Sequence, residues 1–227
     1  MNVLIIDNNM DETSWGSPDL RRYATALQGA TVTVRRGPHQ DLPSNLRKFD
    51  RVIVSGSRAS CMELSPWAAD VDMLIREAIT TAKPLLGVCY GHQALNRVVG
   101  GVDILRRGET AEFGWTKIEK VASAPLLEGL PNTFYSFSAH FEEVGSLPAG
   151  MKHLARSLDC EVQACQYENL PIYGIQFHPE RDLVQAAITF AERKKTGTPK
   201  VLLHSKDGPK LYDPKIGELI FRNFLST

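Results

Sequence analysis

The segment KPLLGVCYGHQ, Lys83–Gln93, contains the pattern that decides the fold. Pro84–Val88 is a short apolar run, which is typical of a strand buried on both faces of a parallel sheet. Cys89 follows it directly, and the residues after Gly91 read as a helix that ends at a glycine pair. A cysteine placed between Gly87 and Gly91 at a strand-to-helix turn has the form of a nucleophile elbow.

The N-terminal half of the chain alternates strand and helix patterns around this segment. Strands are predicted at Asn2–Asp7 and Asp50–Ser55, which are apolar, and at Thr31–Arg36, which alternates. Ser17-Pro18 and Ser65-Pro66 each combine an N-cap residue with proline in the first turn, so helices are predicted to begin at both pairs. This order predicts an α/β fold with an open, mainly parallel sheet covered by helices on both faces.

The C-terminal half has shorter, partly alternating strand patterns that predict antiparallel strands added to the parallel core. Helices are predicted at Leu183–Arg193 and Gly217–Leu225, and the polar stretch between them, about 194–214, is interpreted as an irregular insertion. The chain is predicted to form one domain over residues 1–227. The predicted strands are Trp115–Val121, Thr133–Phe137, Lys152–Ser157, Val162–Tyr167 and Ile172–Phe177.

Composition excludes several functional classes. The 227 residues include 26 Lys and Arg and 26 Asp and Glu, so no charge excess favours nucleic acid or an acidic membrane as a partner. The apolar runs are shorter than a membrane span, and Met1 leads straight into a strand pattern without a cleavable signal. A cytoplasmic location is expected. The four cysteines show no zinc-ligand spacing, so free thiols are expected and no metal or cofactor.

A second motif, QFHPE at Gln176–Glu180, also follows an apolar strand. Pro179 favours an extended conformation at His178, and residues two apart in an extended chain point to the same side. His178 and Glu180 are therefore predicted to lie side by side. A carboxylate beside an imidazole fixes its tautomer, so Cys89, His178 and Glu180 together match the nucleophile, base and orienting group of acyl transfer.

A third motif, Ser55-Gly56-Ser57-Arg58, follows the third strand. A Gly-Ser turn at the carboxyl end of a strand can direct backbone N–H groups into the cleft. With the N–H of Tyr90, it is predicted to form an oxyanion hole.

These three motifs, in this order, resemble those of the class I (triad-type) glutamine amidotransferase family. The resemblance runs from Asn2 to about Glu180 and resumes at the last helix. Ser138–Met151 and Phe113–Trp115 are similar to stretches of the GMP synthase glutaminase group. The resemblance implies a flavodoxin-like core, with Cys89 attacking the glutamine amide, His178 as general base and then acid, and Glu180 orienting His178.

The resemblance further implies an oxyanion hole from Gly56 or Ser57 with Tyr90, and substrate contacts by Gln93 and by Ala139, His140 and Phe141. The sequence departs from the biosynthetic enzymes at three places. Ser55–Arg58 replaces their Gly-Gly-Pro or Gly-Pro-Gly form, Ala139 replaces a serine, and the insertion near residue 194 is longer.

Three functions stay open at this point. The first is an amidotransferase that releases ammonia from glutamine for a separate synthetase, because the sequence has no P-loop or pyrophosphatase motif with which to activate an acceptor. The second is a free-standing hydrolase or peptidase of γ-glutamyl amides, which uses the same thioester chemistry. The third, a non-catalytic binding protein, is disfavoured because Cys89, His178 and Glu180 are all present.

Overall fold

The computed structural model describes residues 1–10, 17–196, 203–204 and 206–226. The strands of these residues form a single nine-stranded sheet. Five neighbouring strands are parallel and the other strands are antiparallel, which confirms the predicted mixed sheet with a parallel core and added antiparallel strands.

The parallel half contains the strand that leads to Cys89. Its strands are β1 (Asn2–Asp7), β2 (Thr31–Arg36), β3 (Arg51–Val54), β4 (Leu85–Val88) and β9 (Ile172–Ile175). They lie in the order β2-β1-β3-β4-β9 and each pairs in parallel with the next, so their carboxyl ends meet at one edge of the sheet.

The antiparallel half continues from β9. It consists of β8 (Ala164–Tyr167), β7 (Met151–Arg156), β5 (Leu105–Lys120) and β6 (Thr133–Val144). The prediction for Ile172–Phe177 was half right, because β9 is antiparallel to β8 but parallel to β4. β5 begins ten residues before the predicted Trp115 and pairs along its length with β6, with an irregularity between Arg107 and Glu112.

Helices cover both faces of the sheet, as predicted. They are α1 (Ser17–Ala26), α2 (Ala68–Thr80), α3 (Tyr90–Gly100), α4 (Leu183–Thr196), α5 (Gly208–Leu211) and α6 (Pro214–Ser226). Val3 and Ile5 of β1 face a core that α1 and α6 complete. The alternate residues Leu4 and Ile6 face a second core with α2 and α3. Within the described residues, no helix is long and apolar enough to cross a membrane.

The start of α2 corrects one prediction. The helix begins at Ala68 and not at Ser65-Pro66, because the N–H of Ala68 donates to the carbonyl of Ser65 at 2.9 Å and closes a turn there. Trp67 takes the N-cap position, and it makes no side-chain capping hydrogen bond.

The insertion expected at about 194–214 lies partly outside the described residues, at 197–202 and 205. Its described parts are more regular than the sequence predicts. α4 continues to Thr196, and α5 forms one short helix. Leu203 joins β5 through backbone hydrogen bonds, donating to Phe113 at 2.8 Å and accepting from Trp115 at 3.1 Å. This segment therefore packs on the sheet beside a buried aromatic cluster of Phe113, Trp115 and Phe137.

Candidate active site

Cys89 lies at the sharp turn between β4 and α3. Its backbone has φ 51° and ψ −103°, which is a strained conformation for a residue with a side chain. The Cys89 N–H donates to the carbonyl of Ile175 at 2.8 Å, and the Cys89 carbonyl accepts from Gln93 at 3.0 Å. Backbone hydrogen bonds to β9 and within α3 thus hold the turn in this conformation.

The two glycines around Cys89 are required by close backbone contacts. A Cβ at Gly91 would overlap the carbonyl oxygen of Val54 in β3, and a Cβ at Gly87 would overlap the backbone of Gly91. Neither obstacle is the end of a flexible side chain, so neither can move aside at little cost. The glycine spacing read from the sequence is therefore a packing requirement of the elbow.

His178 and Glu180 follow β9 at the same edge of the sheet. The Nδ1 atom of His178 lies 2.7 Å from Oε1 of Glu180, and both side chains are buried. The backbone N–H of His178 also donates to the carbonyl of Phe137 at 2.6 Å, which anchors the loop to β6. The HPE motif thus forms the side-by-side pair that its spacing predicts.

The imidazole of His178 is close to Cys89. A Cβ built at Gly56 would lie 3.1 Å from Cε1 of His178 and 3.5 Å from Cβ of Cys89. Burial lowers the pKa of His178, but the Glu180 carboxylate and the Cys89 side chain outweigh it, and the pKa rises to about 9. The site therefore favours the imidazolium at neutral pH.

The backbone of Glu180 is held by residues that the sequence analysis missed. The guanidinium of Arg22 in α1 donates to the Glu180 carbonyl at 2.9 Å and pairs with Asp182 at 2.8 Å. The next residue, Arg181, is buried and pairs with Asp19 of α1 at 3.0 Å. Arg22 and Asp19 lie about 160 positions away in the chain, so only the fold brings them to this loop.

The loop Ser55–Arg58 after β3 is fixed by Asn8, another residue that sequence reasoning missed. The Asn8 N–H donates to Oγ of Ser55 at 2.9 Å, and the Asn8 carbonyl accepts from Oγ of Ser57 at 2.7 Å. Among the described residues, neither the Gly56 N–H nor the Ser57 N–H has a hydrogen-bond acceptor. The position of Asn8 directly after β1, at the carboxyl edge of the sheet, was the signal that could have found it.

A cavity of about 530 Å³ opens over Cys89. The structure brings most of the predicted site residues together around it. Tyr90 and Glu180 are not among its lining residues: Tyr90 packs against Trp67 with ring centroids 5.4 Å apart, and Glu180 lies behind His178. The predicted residues that line the cavity are Gly56, Ser57, Cys89, Gln93, Ala139, His140, Phe141 and His178.

Residues 18–194 match the family model described as glutamine amidotransferase class-I. The chain belongs to this family. Among curated relatives, a glutamine-hydrolyzing GMP synthase subunit of Thermococcus kodakarensis is 45% identical over 97 residues, which are 43% of this chain. The match spans about half of that relative's length. The corresponding GMP synthase subunit of Methanocaldococcus jannaschii is 37% identical over 182 residues, 78% of this chain and 87% of the relative.

Solved structures of glutamine amidotransferases share the fold. A glutamine amido transferase from Methylobacillus flagellatus has a TM-score of 0.80 at 21% identity, covering 99% of this chain and 93% of that one. A glutamine amidotransferase from Thermotoga maritima has a TM-score of 0.78 at 23% identity, covering 100% and 96%. The predicted amidotransferase-type α/β fold is thereby confirmed.

In this amidotransferase fold, Gln93 ties α3 to its neighbours. Its side-chain N–H group donates to the carbonyl of Glu142 at 2.6 Å and to Oε1 of Gln176 at 3.1 Å. The Gln93 amide thus holds Glu142, near the end of β6, in place. The preceding residues of β6, Ala139–Phe141, line the cavity.

His140 is held by a buried carboxylate. Its Nε2 lies 2.8 Å from Oε2 of Glu112, which also accepts from Gln163 at 2.5 Å. The potential ligand atoms of Glu112, His140 and Cys160 lie within 4.8 Å of one another. Because hydrogen bonds already account for the contacts of Glu112, this cluster is assigned to the structure of the wall between β5 and β6.

Cys89 is the one cysteine among the described residues that line the cavity. Burial raises the pKa of Cys61 and of Cys165 to about 12, and burial also raises the pKa of Cys160. These three thiols therefore stay protonated near neutral pH.

Proposed function

We propose that this protein hydrolyses the side-chain amide of glutamine through a γ-glutamyl thioester on Cys89. One observation carries the proposal: Cys89, on a strained elbow, shares a cavity with an imidazole that Glu180 holds by a 2.7 Å contact. Membership of the class I amidotransferase family supports the same chemistry.

In the first half-reaction, His178 holds the proton of the Cys89 thiol, and the thiolate attacks the amide carbon of glutamine. The C–S bond forms as the carbonyl π electrons move to oxygen. The intermediate then collapses, the C–N bond breaks, and the departing nitrogen takes the proton from His178 as ammonia. Glu180 stabilises the imidazolium throughout.

In the second half-reaction, neutral His178 removes a proton from water while the oxygen of that water attacks the thioester carbon. The C–S bond breaks, glutamate leaves, and Cys89 returns as the thiolate beside the imidazolium. The balance is glutamine and water to glutamate and ammonium, because the new carboxyl group gives its proton to the released ammonia.

The oxyanion of each tetrahedral intermediate is assigned to backbone N–H groups. The N–H groups of Gly56 and Ser57 carry no hydrogen-bond acceptor among the described residues, and the loop that presents them is fixed by Asn8. The N–H of Tyr90, at the start of α3, adds the positive end of the helix dipole. Donors fixed in advance stabilise developing charge without reorganisation.

The amino-acid end of glutamine is assigned to the wall of Ala139, His140 and Phe141, with Gln93 at its base. The Gln93 and Glu112 contacts keep this wall in place, since they fix the end of β6 and the His140 ring.

We further propose that the ammonia is used by a separate synthetase chain. The curated relatives are named as glutamine-hydrolyzing subunits of GMP synthase, and a subunit that only releases ammonia needs a second chain to consume it.

The direct test is product formation from glutamine by the purified chain. Wild type is expected to release ammonia and glutamate in equal amounts, and Cys89→Ala is expected to release neither above the blank. Retained turnover in Cys89→Ala would overturn the proposed chemistry.

Partner dependence is tested by comparing turnover with alkylation. If a synthetase partner activates the site, the isolated chain turns over glutamine slowly while a glutamine-mimicking diazoketone alkylates Cys89 rapidly. Fast, sustained hydrolysis of glutamine by the isolated chain would contradict control by a partner.

A further inference from the structure

The carboxylate of Glu142 joins two segments that line the cavity over Cys89. Its Oε1 atom accepts a hydrogen bond from Oγ of Ser60 at 2.5 Å, and its Oε2 atom accepts from the N–H of Cys61 at 2.8 Å. Glu142 belongs to β6, and both Glu142 and Ser60 line the cavity. Five strands separate β3, which precedes Ser60, from β6 in the sheet, so strand pairing does not bring these residues together.

The loop that Glu142 holds is the one that carries the proposed oxyanion donors. Residues 55–61, the oxyanion loop, form neither helix nor strand. Among the described residues, no backbone-to-backbone hydrogen bond involves residues 56–61. Side-chain contacts therefore set the position of the donor N–H groups. Asn8 holds the first part of the oxyanion loop, and Glu142 holds its end.

The backbone of Glu142 has a role separate from that of its side chain. Its carbonyl accepts a hydrogen bond from the side chain of Gln93 at 2.6 Å. A substitution at position 142 keeps this carbonyl, so it leaves the support of the Ala139–Phe141 wall in place. The carboxylate therefore connects the oxyanion loop to the wall that is assigned to the amino-acid end of glutamine.

The oxyanion loop has one further anchor at its end. Arg97 of α3 donates to the carbonyl of Cys61 at 2.7 Å and pairs with Asp72 of α2 at 2.6 Å. Removing the carboxylate of Glu142 leaves this anchor intact. The expected consequence is a displaced oxyanion loop in a folded protein.

We infer that Glu142 is a positioning residue, whose carboxylate holds the oxyanion loop so that the N–H groups of Gly56 and Ser57 stay beside the cavity. This inference rests on the proposed function, because these N–H groups matter for catalysis only if an oxyanion forms there. Hydrogen bonds to a carboxylate are about twice as strong as those between neutral groups, so this contact resists displacement of the oxyanion loop. Donors that are held in advance stabilise the oxyanion without reorganisation.

The test separates the binding of glutamine from its turnover. Glu142→Ala is expected to lower kcat for ammonia release by about 100-fold, a loss typical of a defective oxyanion hole. The dissociation constant of glutamine is measured by calorimetry in a Cys89→Ala background, where turnover does not enter. It is expected to change by less than about threefold on adding Glu142→Ala, because an interaction made only in the transition state does not contribute to ground-state binding.

Two further variants calibrate this loss. In Glu142→Gln, the amide oxygen can still accept one of the two hydrogen bonds, so kcat is expected to fall by only about tenfold. Glu63→Ala is the matched control, because Glu63 is exposed and its carboxylate has no hydrogen-bond or ion-pair partner among the described residues. Its kcat is expected to equal that of wild type. Circular dichroism of each variant verifies the fold.

A double-mutant cycle tests whether Glu142 acts through the oxyanion loop. Ser60→Ala removes the hydroxyl that donates to the carboxylate. Because Glu142→Ala breaks the same contact, the loss of kcat in the double variant is expected to be smaller than the product of the two single losses. A loss equal to that product would overturn the role of this contact. If Glu142→Ala does not fold, Glu142→Gln takes its place in the cycle.

Wild-type kcat in Glu142→Ala would overturn the inference and leave the proposed glutamine hydrolysis intact. A loss confined to the dissociation constant of glutamine would also overturn it, because Glu142 would then belong to the substrate wall. An equal loss of kcat in Glu63→Ala would have the same meaning, since any carboxylate of the segment would then matter. Failure of the proposed function has a different signature, namely wild-type protein that neither hydrolyses glutamine nor reacts at Cys89 with the diazoketone.

Discussion

The Nδ1 atom of His178 lies 2.7 Å from Oε1 of Glu180, with both side chains buried. This contact fixes which ring nitrogen faces the carboxylate and leaves Nε2 for the Cys89 side. Desolvation alone would favour the neutral imidazole, but the carboxylate outweighs it and keeps the pKa of His178 at about 9. The pair therefore supplies both the orientation and the charge that the proposed thioester chemistry needs.

Glu180→Gln is expected to lower the pKa of His178 toward its ordinary value and to slow glutamine hydrolysis by about 100-fold. The substitution keeps the shape of the side chain but removes the charge that stabilises the imidazolium. NMR titration of His178 and steady-state ammonia release provide the two measurements. Asp182→Asn, which neutralises a nearby carboxylate that pairs with Arg22, is the control and is expected to have the smaller effect. An unchanged pKa of His178 in Glu180→Gln would refute the assignment.

Gly91→Ala is expected to destabilise the protein by about 2 kcal/mol and to displace Cys89, since the added Cβ overlaps the Val54 carbonyl. The loss of activity is expected to exceed tenfold. Gly29→Ala serves as the control, because a Cβ there meets no atom within 4 Å and only the positive φ of 79° opposes it. Denaturant unfolding and ammonia release compare the two variants. Equal effects in both would show that the elbow does not depend on the close contact.

Cys89→Gly is expected to be more stable than Cys89→Ala by about 1 kcal/mol. Glycine removes the strain of φ 51° at the elbow, whereas alanine retains it, and both variants lack the thiol. Urea unfolding of the two proteins at the same pH gives the difference. A Cys89→Gly variant that is the less stable of the two would argue that the turn stores no strain.

His92 is expected to make the protein sensitive to acid. Burial lowers its pKa to about 3, and nearby His140 acts in the same direction. In the unfolded chain His92 binds a proton near pH 6.5, whereas in the folded chain it stays neutral until the pH approaches 3. The free energy of unfolding therefore falls as the pH drops from about 6.5 toward 3. His92→Gln is expected to reduce the slope of that fall in pH-dependent urea unfolding.

The control for His92 is the exposed His39, whose replacement by glutamine is expected to leave the slope unchanged. The slope, rather than the absolute stability, is the deciding quantity, because His92 packs closely against Gly174 and its replacement also changes packing. Equal slopes in wild type and His92→Gln would contradict the lowered pKa.

The elements whose sequence signal is local could be predicted. Pro84–Val88 and the glycine pair around Cys89 specify a strand, a turn and a helix within eleven residues, and the structure has all three. The HPE spacing likewise predicts that His178 lies beside Glu180, and the structure has this pair. The chain there forms a turn instead of the predicted extended segment, since the N–H of Arg181 donates to the carbonyl of His178 at 3.2 Å.

Contacts between distant segments could not be predicted. Asn8 fixes the Ser55–Arg58 loop from another strand, and Arg22 reaches the Glu180 carbonyl from α1. Leu203 adds to β5 through backbone hydrogen bonds that any residue type can make, so its side chain gave no signal. Arg58, Arg107 and Arg193 line one cavity in the same way, from three elements that only the tertiary structure brings together.

The first ten residues of β5 were missed because half of them are charged or polar and two are glycines, which interrupts apolar alternation. Arg106 lies opposite Glu143 of β6 and pairs with its carboxylate at 2.8 Å, so cross-strand charge pairing contributes where apolar alternation is missing. A strand stabilised in this way lacks the hydrophobic period on which the prediction depended.

The measurement that tests the central claim most directly is the position of the adduct formed by a glutamine-mimicking diazoketone. Wild-type protein is treated with the reagent, digested and analysed by peptide mass spectrometry. We predict one modified residue per chain, Cys89, with labelling slowed by glutamine and absent in Cys89→Ala. Modification of Cys61, Cys160 or Cys165 with Cys89 untouched would contradict the assignment of Cys89 as the nucleophile.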